Sequence, residues 1–380
     1  MYLDNNATTR LDPGVLEAML PHLQTSYGNP SSAHPLGHLA EAALARARDQ
    51  VAELLDCAPA EIVFNGGGTE GLNHAVRGVF EALPARRHFL MSAVEHPAML
   101  ALAAWLRSQG AEVQLIPVDS DGALDLGWLE GALRPDTALV SVMAANNESG
   151  VRFPIAKVAR LVKARGALLH VDATQAAGKV PLGLRDLEVD LLNLSAHKFH
   201  GPKGVGALYI RRGLRLRPFL LGGHQERGRR GGTENVAGLA GLGAAAEAAR
   251  KALDRMDRVQ ELRDGLEGTL TREVPDLHIA GAASPRLPNT SLLCFAGLEG
   301  EALLLRLGER GVCVSTGSAC STGQKEPSHV LRAMAVPPAF AQGTIRVSLS
   351  RFTTEPEVQT VEALLPGLVA ELRGRTAFGR

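Results

Sequence analysis

The chain has 380 residues, of which 45% are hydrophobic and 21% charged, and its 40 basic and 40 acidic side chains cancel. This length predicts two or three domains with a large buried core, and the balanced charge gives no indication of a nucleic-acid partner. No signal peptide, membrane-spanning apolar run or disulfide framework is evident from the sequence, so we expect no membrane association and a cytoplasmic protein.

The first segments are a polar arm and two helices. Residues 2–9 predict an extended arm, and Asp12-Pro13 is a helix N-cap followed by a helix-starting proline. A second helix is predicted from about Pro35 to Leu55. Its apolar spacing predicts one buried face, formed by Leu36, Leu39, Ala43, Ala47, Val51 and Leu54.

From Glu61 onward, short apolar runs alternate with helical segments. This repetition predicts an α/β fold with a mostly parallel sheet covered on both faces. The strand candidates are Ile62–Phe64, Phe89–Met91, Val113–Ile116, Leu139–Met143, Leu168–Val171, Leu191–Leu194 and Val205–Ile210. The intervening helices are predicted at Glu70–Leu83, Pro97–Ser108, Leu126–Leu133 and Ile155–Arg165. Only a short turn precedes the seventh strand, which we therefore expect to run antiparallel.

The C-terminal third predicts a second, smaller α+β domain. One long helix is expected from about Thr233 to Leu270, with the domain boundary near residue 255. Residues 12–255 would form the large domain, and 256–380 together with the arm 1–11 the small one. Its elements are expected at Ser291–Phe295, Glu301–Arg310, Val312–Ser315, Ile345–Leu349 and Pro356–Arg373.

Ligands in sheets of this kind bind beyond the carboxyl ends of the strands, so the residues there are the first candidates for a site. After the first strand, residues 65–70 read Asn-Gly-Gly-Gly-Thr-Glu and begin a helix. Its bare N–H groups, with the Thr69 hydroxyl, could bind an anion, although a simple tight turn is equally consistent. The Lys-Ser/Thr pair of a Walker loop is missing.

Lys198 and Asp172 follow two neighbouring predicted strands. A lysine at the edge of a sheet is a candidate amine nucleophile that forms a Schiff base, although most lysines in loops are simply solvated. Asp172 could be an ordinary helix N-cap, or it could keep a pyridine nitrogen protonated. The two residues together are far more specific than either alone.

Four further positions carry polar groups that could serve the same site. His96 precedes a helix proline and is suited to proton transfer or ring stacking, unless it is a surface cap. Asn147 lies in an amide-rich strand end, and a basic glycine-rich loop leads to Thr233 and could equally be a solvated surface loop. Arg346 alternates with apolar neighbours, and an inward arginine requires an anion.

The cysteines of the last third have different predicted roles. Cys313 lies within a predicted strand and is expected to be a small core residue. Cys320 lies in a Ser/Gly/Thr loop, where a thiol would be exposed and reactive. Their spacing does not fit a zinc site, and no Cys-x-x-Cys occurs.

With these residues assembled, the sequence resembles the cysteine desulfurases of the NifS/IscS type, a branch of the fold-type I pyridoxal-phosphate (PLP) enzymes. The resemblance extends over nearly the whole chain. It is most specific at His170-Val171-Asp172-Ala173-Thr174-Gln175, Ser195-Ala196-His197-Lys198 and Ser318-Ala319-Cys320.

The resemblance implies a role for each matching position. Lys198 would hold PLP covalently, Asp172 would pair with the ring nitrogen, Gln175 would bond the phenolic oxygen, and His96 would stack on the ring and move protons. The phosphate would be bound by Gly68, Thr69, Ser195 and His197, and by Thr233 from the other subunit of a homodimer. Asn147 and Arg346 would bind the substrate carboxylate, and Cys320 would be the nucleophile.

The implied reaction converts L-cysteine to L-alanine and leaves a persulfide on Cys320. The implied sulfur acceptors are iron–sulfur scaffold proteins or thiol-bearing sulfur carriers. A selenocysteine lyase stays open, because both substrates would be bound in the same way. An aminotransferase would have no use for Cys320. The presence of both Lys198 and Asp172 argues against a non-catalytic regulator. A glycine-rich nucleotide-binding protein is the last-ranked alternative.

Overall fold

The computed structural model describes residues 1–317 and 327–377. Its helices are α1 (Pro13–Gln24), α2 (Pro35–Leu55), α3 (Gly68–Ala82), α4 (Pro97–Ser108), α5 (Leu126–Ala132), α6 (Ile155–Ala164), α7 (Val236–Lys251), α8 (Met256–Glu273), α9 (Gly300–Glu309), α10 (His329–Ala333), α11 (Pro338–Ala341) and α12 (Glu355–Ala377). Its strands are β1 (Ile62–Asn65), β2 (His88–Ser92), β3 (Glu112–Ile116), β4 (Thr137–Met143), β5 (Leu168–Asp172), β6 (Leu191–Ser195), β7 (Gly206–Ile210), β8 (Leu277–Ile279), β9 (Thr290–Phe295) and β10 (Thr344–Ser348).

The larger sheet has seven strands in the order β1-β7-β6-β5-β4-β2-β3. Five of them form parallel pairs, whereas β7 pairs antiparallel with both β6 and β1. Every residue of β4 is buried, as expected for a central strand covered on both faces. The predicted α/β fold and the reversed seventh strand are therefore confirmed.

The buried face of α2 differs in part from the prediction. Ala47, Val51 and Leu54 are buried as predicted, but Leu39 is 51% exposed and Ala40 is buried instead. The reason is the partner helix α7, where a Cβ on Gly243 would lie 2.6 Å from the Ala47 Cα. Two backbones that approach this closely require small side chains, so apolar periodicity alone misplaces the contact.

The single long helix predicted from Thr233 to Leu270 is wrong. Two helices, α7 and α8, are separated by Ala252 and a 3₁₀ turn at Leu253–Arg255. No proline or glycine marks this break. Its cause is tertiary, because α7 packs against α1 and α2 whereas α8 packs against α12 and the second sheet. We propose that the two domains divide at this break.

The second sheet is antiparallel, has the order β10-β9-β8, and shares a core with α8, α9 and α12. The N-terminal arm joins it, since Leu3 is fully buried in that core. The strand predicted at Val312–Ser315 is wrong: only isolated bridges form there, from Cys313 to Tyr2 and from Ser315 to Arg346. Cys313 is exposed rather than in the core, because its neighbours Val312 and Val314 are the residues that face inward.

Among the helices of residues 1–317 and 327–377, none is long and apolar enough to cross a membrane.

Candidate active site

One cavity of about 760 Å³ opens at the carboxyl edge of the large sheet and collects most of the predicted site residues. Ten of the twelve line it: Gly68, Thr69, His96, Asn147, Asp172, Gln175, Ser195, His197, Lys198 and Arg346. The N-terminal arm forms another wall through Asn6 and Ala7. The cavity therefore lies where the strand ends, the arm and β10 meet.

The start of α3 forms an anion-binding end of this cavity. Gly67 has φ 131°, a conformation that favours glycine, and a Cβ there would lie 3.6 Å from the Ser195 Oγ. The helix begins at Gly68, so unpaired N–H groups of its first turn lie beside the hydroxyls of Thr69 and Ser195. Backbone donors, hydroxyl groups and a helix N-terminus together are the donor set that fits a phosphate.

Asp172 is the last residue of β5, and a chain of hydrogen bonds through Asn193 and His170 holds its carboxylate in place. Its Oδ1 accepts from the Thr174 N–H at 2.9 Å and from the Asn193 amide at 3.1 Å. His170 Nε2 bonds with the Asn193 Oδ1 at 2.7 Å, and its Nδ1 with the Ser141 hydroxyl at 2.8 Å. Burial lowers the pKa of His170 to about 4, so this ring is neutral and serves only to orient.

Lys198 lies in a 3₁₀ turn after β6 and reaches the N-terminal arm. Its Nζ donates to the backbone carbonyls of Asn6 at 2.7 Å and Ala7 at 2.9 Å. The neighbouring His197 bonds with the Thr8 hydroxyl at 3.0 Å, which fixes the arm in front of the lysine. Burial, followed by the charge of Lys198, lowers the pKa of His197 to about 4. This histidine is therefore neutral and adds no positive charge at neutral pH.

His96 is the N-cap of α4, and its Nδ1 accepts from the Ala98 N–H at 3.2 Å. Burial lowers its pKa, and the nearby Lys198 and His329 add to this while Asp172 opposes it. The imidazole is therefore neutral near pH 7, with its proton on Nε2. A neutral histidine facing a reaction cavity can accept or pass on a proton.

Arg346 on β10 faces inward, as its alternation with apolar residues predicts, and is only 2% exposed. Its Nη2 pairs with the Asp4 carboxylate at 2.8 Å, and its Nη1 donates to the Asn147 carbonyl at 3.0 Å. Its Nε is buried with no hydrogen-bond partner in the described part of the chain. A buried donor of this kind on the cavity wall fits an anionic ligand such as a carboxylate.

Glu148 is a cavity residue to which sequence reasoning gave no role of its own. Burial raises the pKa of its carboxyl to about 7, although Ser328 and Arg346 lower it. Its Oε2 accepts from the Ser328 hydroxyl at 2.6 Å, and a Cβ on Gly317 would approach that oxygen to 2.7 Å. Glu148 thus lies against Gly317 and Ser328, which are on either side of residues 318–326 in the sequence. Its place directly after Asn147 is the only signal in the sequence.

Two predicted site residues do not belong to this cavity. Thr233 is exposed and lines a smaller cavity with Arg230 and Glu226. Cys320 lies outside the described residues. The roles that the sequence predicts for both stay predictions.

Comparisons with known proteins place the chain in a family. The model of the aminotransferase class-V family matches residues 1–361. A cysteine desulfurase of Klebsiella pneumoniae is 52% identical over 379 residues, covering 100% of this chain and 95% of its own. One from Nostoc sp. is 50% identical over 379 residues with the same coverage. A solved NifS-like protein superposes with a TM-score of 0.92 at 41% identity, over 98% of this chain and 100% of its own. A structure of SspA in complex with cysteine has a TM-score of 0.83 at 32% identity, over 93% of this chain and 99% of its own.

The fold, the lysine–aspartate cavity and the family match define the class: the chain belongs to the aminotransferase class-V family. Members of this family are PLP-dependent enzymes. Within the family the chain falls among the cysteine desulfurases, since relatives of that name match its whole length at about half identity.

Proposed function

We propose that the protein uses PLP to convert L-cysteine to L-alanine and carries the released sulfur as a persulfide on Cys320. The observation that carries the proposal is the convergence, in one cavity, of an amine at Lys198, a carboxylate at Asp172 and the N-terminus of α3. These three groups match the aldehyde, the ring nitrogen and the phosphate of one cofactor.

The side chains that would hold PLP have the chemical groups that this cofactor requires. Lys198 would link to its aldehyde, Asp172 to its ring nitrogen and Gln175 to its phenolic oxygen, with His96 against the ring. Gly68, Thr69, Ser195 and His197 would bind the phosphate. When bound, PLP supplies an electron sink that makes the α-carbon of an amino acid acidic.

The remaining chemistry belongs to the chain itself. Arg346 and Asn147 would bind the substrate carboxylate, and Lys198 or His96 would move the α-proton. The Cys320 thiolate would then attack the substrate sulfur. One S–S bond forms and the C–S bond breaks, with its electron pair left on carbon. A proton added to that carbon completes the methyl group of alanine.

The proposal is tested by incubating the PLP-loaded protein with L-cysteine. L-alanine and sulfide should form in equal amounts when a reductant is present. Without the reductant, mass spectrometry should find one added sulfur atom on the peptide containing Cys320. Transamination products instead of alanine, or an added sulfur on another cysteine, would contradict the proposal.

Replacing Arg346 with lysine is expected to raise the KM for cysteine about 10- to 100-fold with a smaller change in kcat. Lysine retains the charge but loses the planar fork that binds a carboxylate, and a hydrogen bond to a charged group contributes about 1.5–3 kcal/mol. Steady-state kinetics measures the change. Arg351→Lys is the matched control, because Arg351 forms a similarly buried pair with Asp12 outside the cavity wall. An equal rise in KM in both variants would contradict a role for Arg346 in substrate binding.

We further propose a homodimer, supported by an apolar surface on α1. Leu16, Leu20 and Leu23 recur at helical spacing on one side of α1, and Tyr27 follows; their exposed fractions are 44%, 38%, 61% and 71%. Exposed apolar residues clustered in this way are typical of a protein interface. Thr233 is also exposed, so it could reach the cavity of a partner subunit.

The double variant Leu20→Glu/Leu23→Glu is expected to convert the dimer to a monomer with the 40.1 kDa mass of one chain. Two carboxylates cannot be buried unpaired in an apolar interface. Sedimentation velocity gives the mass. Leu305→Glu, at a 68% exposed leucine of α9, should remain dimeric. A wild-type monomer would contradict the proposal, and so would an unchanged mass of the double variant.

The cytoplasm and a thiol-bearing or iron–sulfur scaffold acceptor complete the proposal. The acceptor is supported by the reaction chemistry, because the outer sulfur of a persulfide can be passed to another thiol. Mixing persulfide-loaded enzyme with purified candidate acceptors would show which of them collects the sulfur.

A further inference from the structure

Lys179 is a second lysine at the cavity, and the reaction proposed above gives it no role. It is 7% exposed and lies behind the cavity wall rather than in it. Its Nζ donates to the Gln175 Oε1 at 2.8 Å and to the Asn6 Oδ1 at 3.1 Å. Because a lysine is rarely buried so deeply without a function or a pairing, these two contacts need an explanation.

The contact with Gln175 selects one orientation of an amide that has two different ends. Lysine offers hydrogen-bond donors, so the amide oxygen of Gln175 turns toward Lys179 and the NH₂ group turns away. That NH₂ group donates to the Asn6 carbonyl at 2.9 Å. The Lys198 Nζ donates to the same carbonyl at 2.7 Å. Sharing this acceptor places the NH₂ end of Gln175 on the Lys198 side, where Gln175 lines the cavity.

Lys179 also contacts Asn6, the residue whose backbone carbonyl accepts from the Gln175 amide. The Asn6 Oδ1 also accepts from the Asn289 amide at 3.1 Å, and its Nδ2 donates to the Thr290 hydroxyl at 2.9 Å. Lys179 therefore connects the segment after β5 to the N-terminal arm, and through Asn6 to the start of β9. Removing it would take a donor from the Gln175 Oε1 and one from the Asn6 Oδ1, while Asn289 and Thr290 would still hold the Asn6 side chain.

The charges around Lys179 leave this geometry unchanged. Burial lowers its pKa well below the usual range, and the positive groups Lys198 and Arg346 act in the same direction. His200 also faces it. A neutral amine still has two N–H donors, enough for the two oxygens it contacts. The Asn6 carbonyl can accept only from the NH₂ end of Gln175, so the same orientation is favoured in either protonation state.

We propose that Lys179 is a positioning residue that locks the Gln175 amide with its NH₂ end toward an electron-rich oxygen of the bound cofactor. The inference rests on the proposed function, in which that oxygen is the phenolic oxygen of PLP. A donor held there withdraws electron density from the oxygen and from the proton it shares with the lysine-linked nitrogen. The expected consequence is a lower pKa for that shared proton.

The test is a pH titration of the visible absorbance of the PLP-loaded enzyme. Lys179→Met is expected to raise the titration midpoint by about half to one pH unit, the size of one lost hydrogen bond. Lys163→Met is the matched control: Lys163 pairs with Asp190, away from the cavity, and its loss should leave the midpoint unchanged. Thermal unfolding of both variants measures any loss of stability separately.

A double-mutant cycle separates positioning from a simple charge effect. If Lys179 acts through Gln175, then Lys179→Met should cause no further shift in a Gln175→Leu background. Equal shifts in both backgrounds would overturn the proposal, as would an unchanged midpoint in Lys179→Met or in Gln175→Leu. The same criteria apply to Lys179→Leu, which also lacks a hydrogen-bond donor, should the methionine variant not fold. Failure of the proposed function is distinct, because no PLP would then be found on Lys198 after borohydride reduction.

Discussion

Replacing Lys198 with alanine is expected to lower the rate of alanine formation by about 10⁴-fold or more and to abolish the covalent attachment of PLP. The variant loses the amine that links to the cofactor and the base that removes the α-proton, and proton transfer by a positioned group alone is worth about 10²–10⁴. Borohydride reduction followed by peptide mass spectrometry measures the attachment. An alanine and sulfide assay measures the rate.

The fold should survive this substitution. The Lys198 amine donates to the Asn6 and Ala7 carbonyls, and the Asn6 carbonyl also accepts from Gln175. The expected loss in free energy of unfolding is therefore about 1 kcal/mol, the net value of one or two ordinary hydrogen bonds. Loss of activity without loss of structure is what distinguishes a chemical role from a structural one.

The matched control for this variant is Lys203→Ala, at an exposed lysine five residues further along the connection between β6 and β7. It should retain the linked cofactor and the full rate. If the Lys198→Ala protein still formed a reducible link to PLP, or if Lys203→Ala lost it, the assignment of the cofactor amine would be wrong.

The large sheet was predictable because most of its strands are short buried runs and helices separate several of them. The observed strands differ from the predicted ones by at most two residues at either end. The missed features depend on packing partners instead. The break between α7 and α8 arises because the two helices pack against different layers. The face of α2 is set by the close approach of α7, which the apolar spacing of α2 alone does not contain.

The site was predictable where its residues follow strands, since the strand-end rule brings together residues such as Asp172 and Lys198 without any knowledge of distance. Residues that act through partners far away in the sequence could not be predicted. Lys179 contacts Asn6, 173 positions earlier, and Glu148 contacts Ser328, 180 positions later. No local spacing marks such pairs. Burial then decides their protonation, as in Glu148, whose pKa is raised to about 7.

Replacing Cys320 with serine is expected to reduce alanine formation from cysteine at least about a thousandfold while leaving PLP bound. A serine hydroxyl is not ionised near neutral pH and is a poor nucleophile toward sulfur, so the C–S bond of the substrate has no attacking group. The residues that would bind the cofactor and the substrate carboxylate are unchanged. Adding cysteine should therefore still alter the visible absorbance, which separates lost sulfur transfer from lost substrate binding.

Cys313→Ser provides the matched control, because Cys313 is an exposed thiol only seven positions earlier in the chain. It should keep the wild-type rate and the persulfide on the Cys320 peptide. Equal loss in both variants would mean that the substitutions disturb this region generally. Full alanine formation by Cys320→Ser would mean that another group receives the sulfur, and the persulfide step would have to be assigned elsewhere while the role of Lys198 stood.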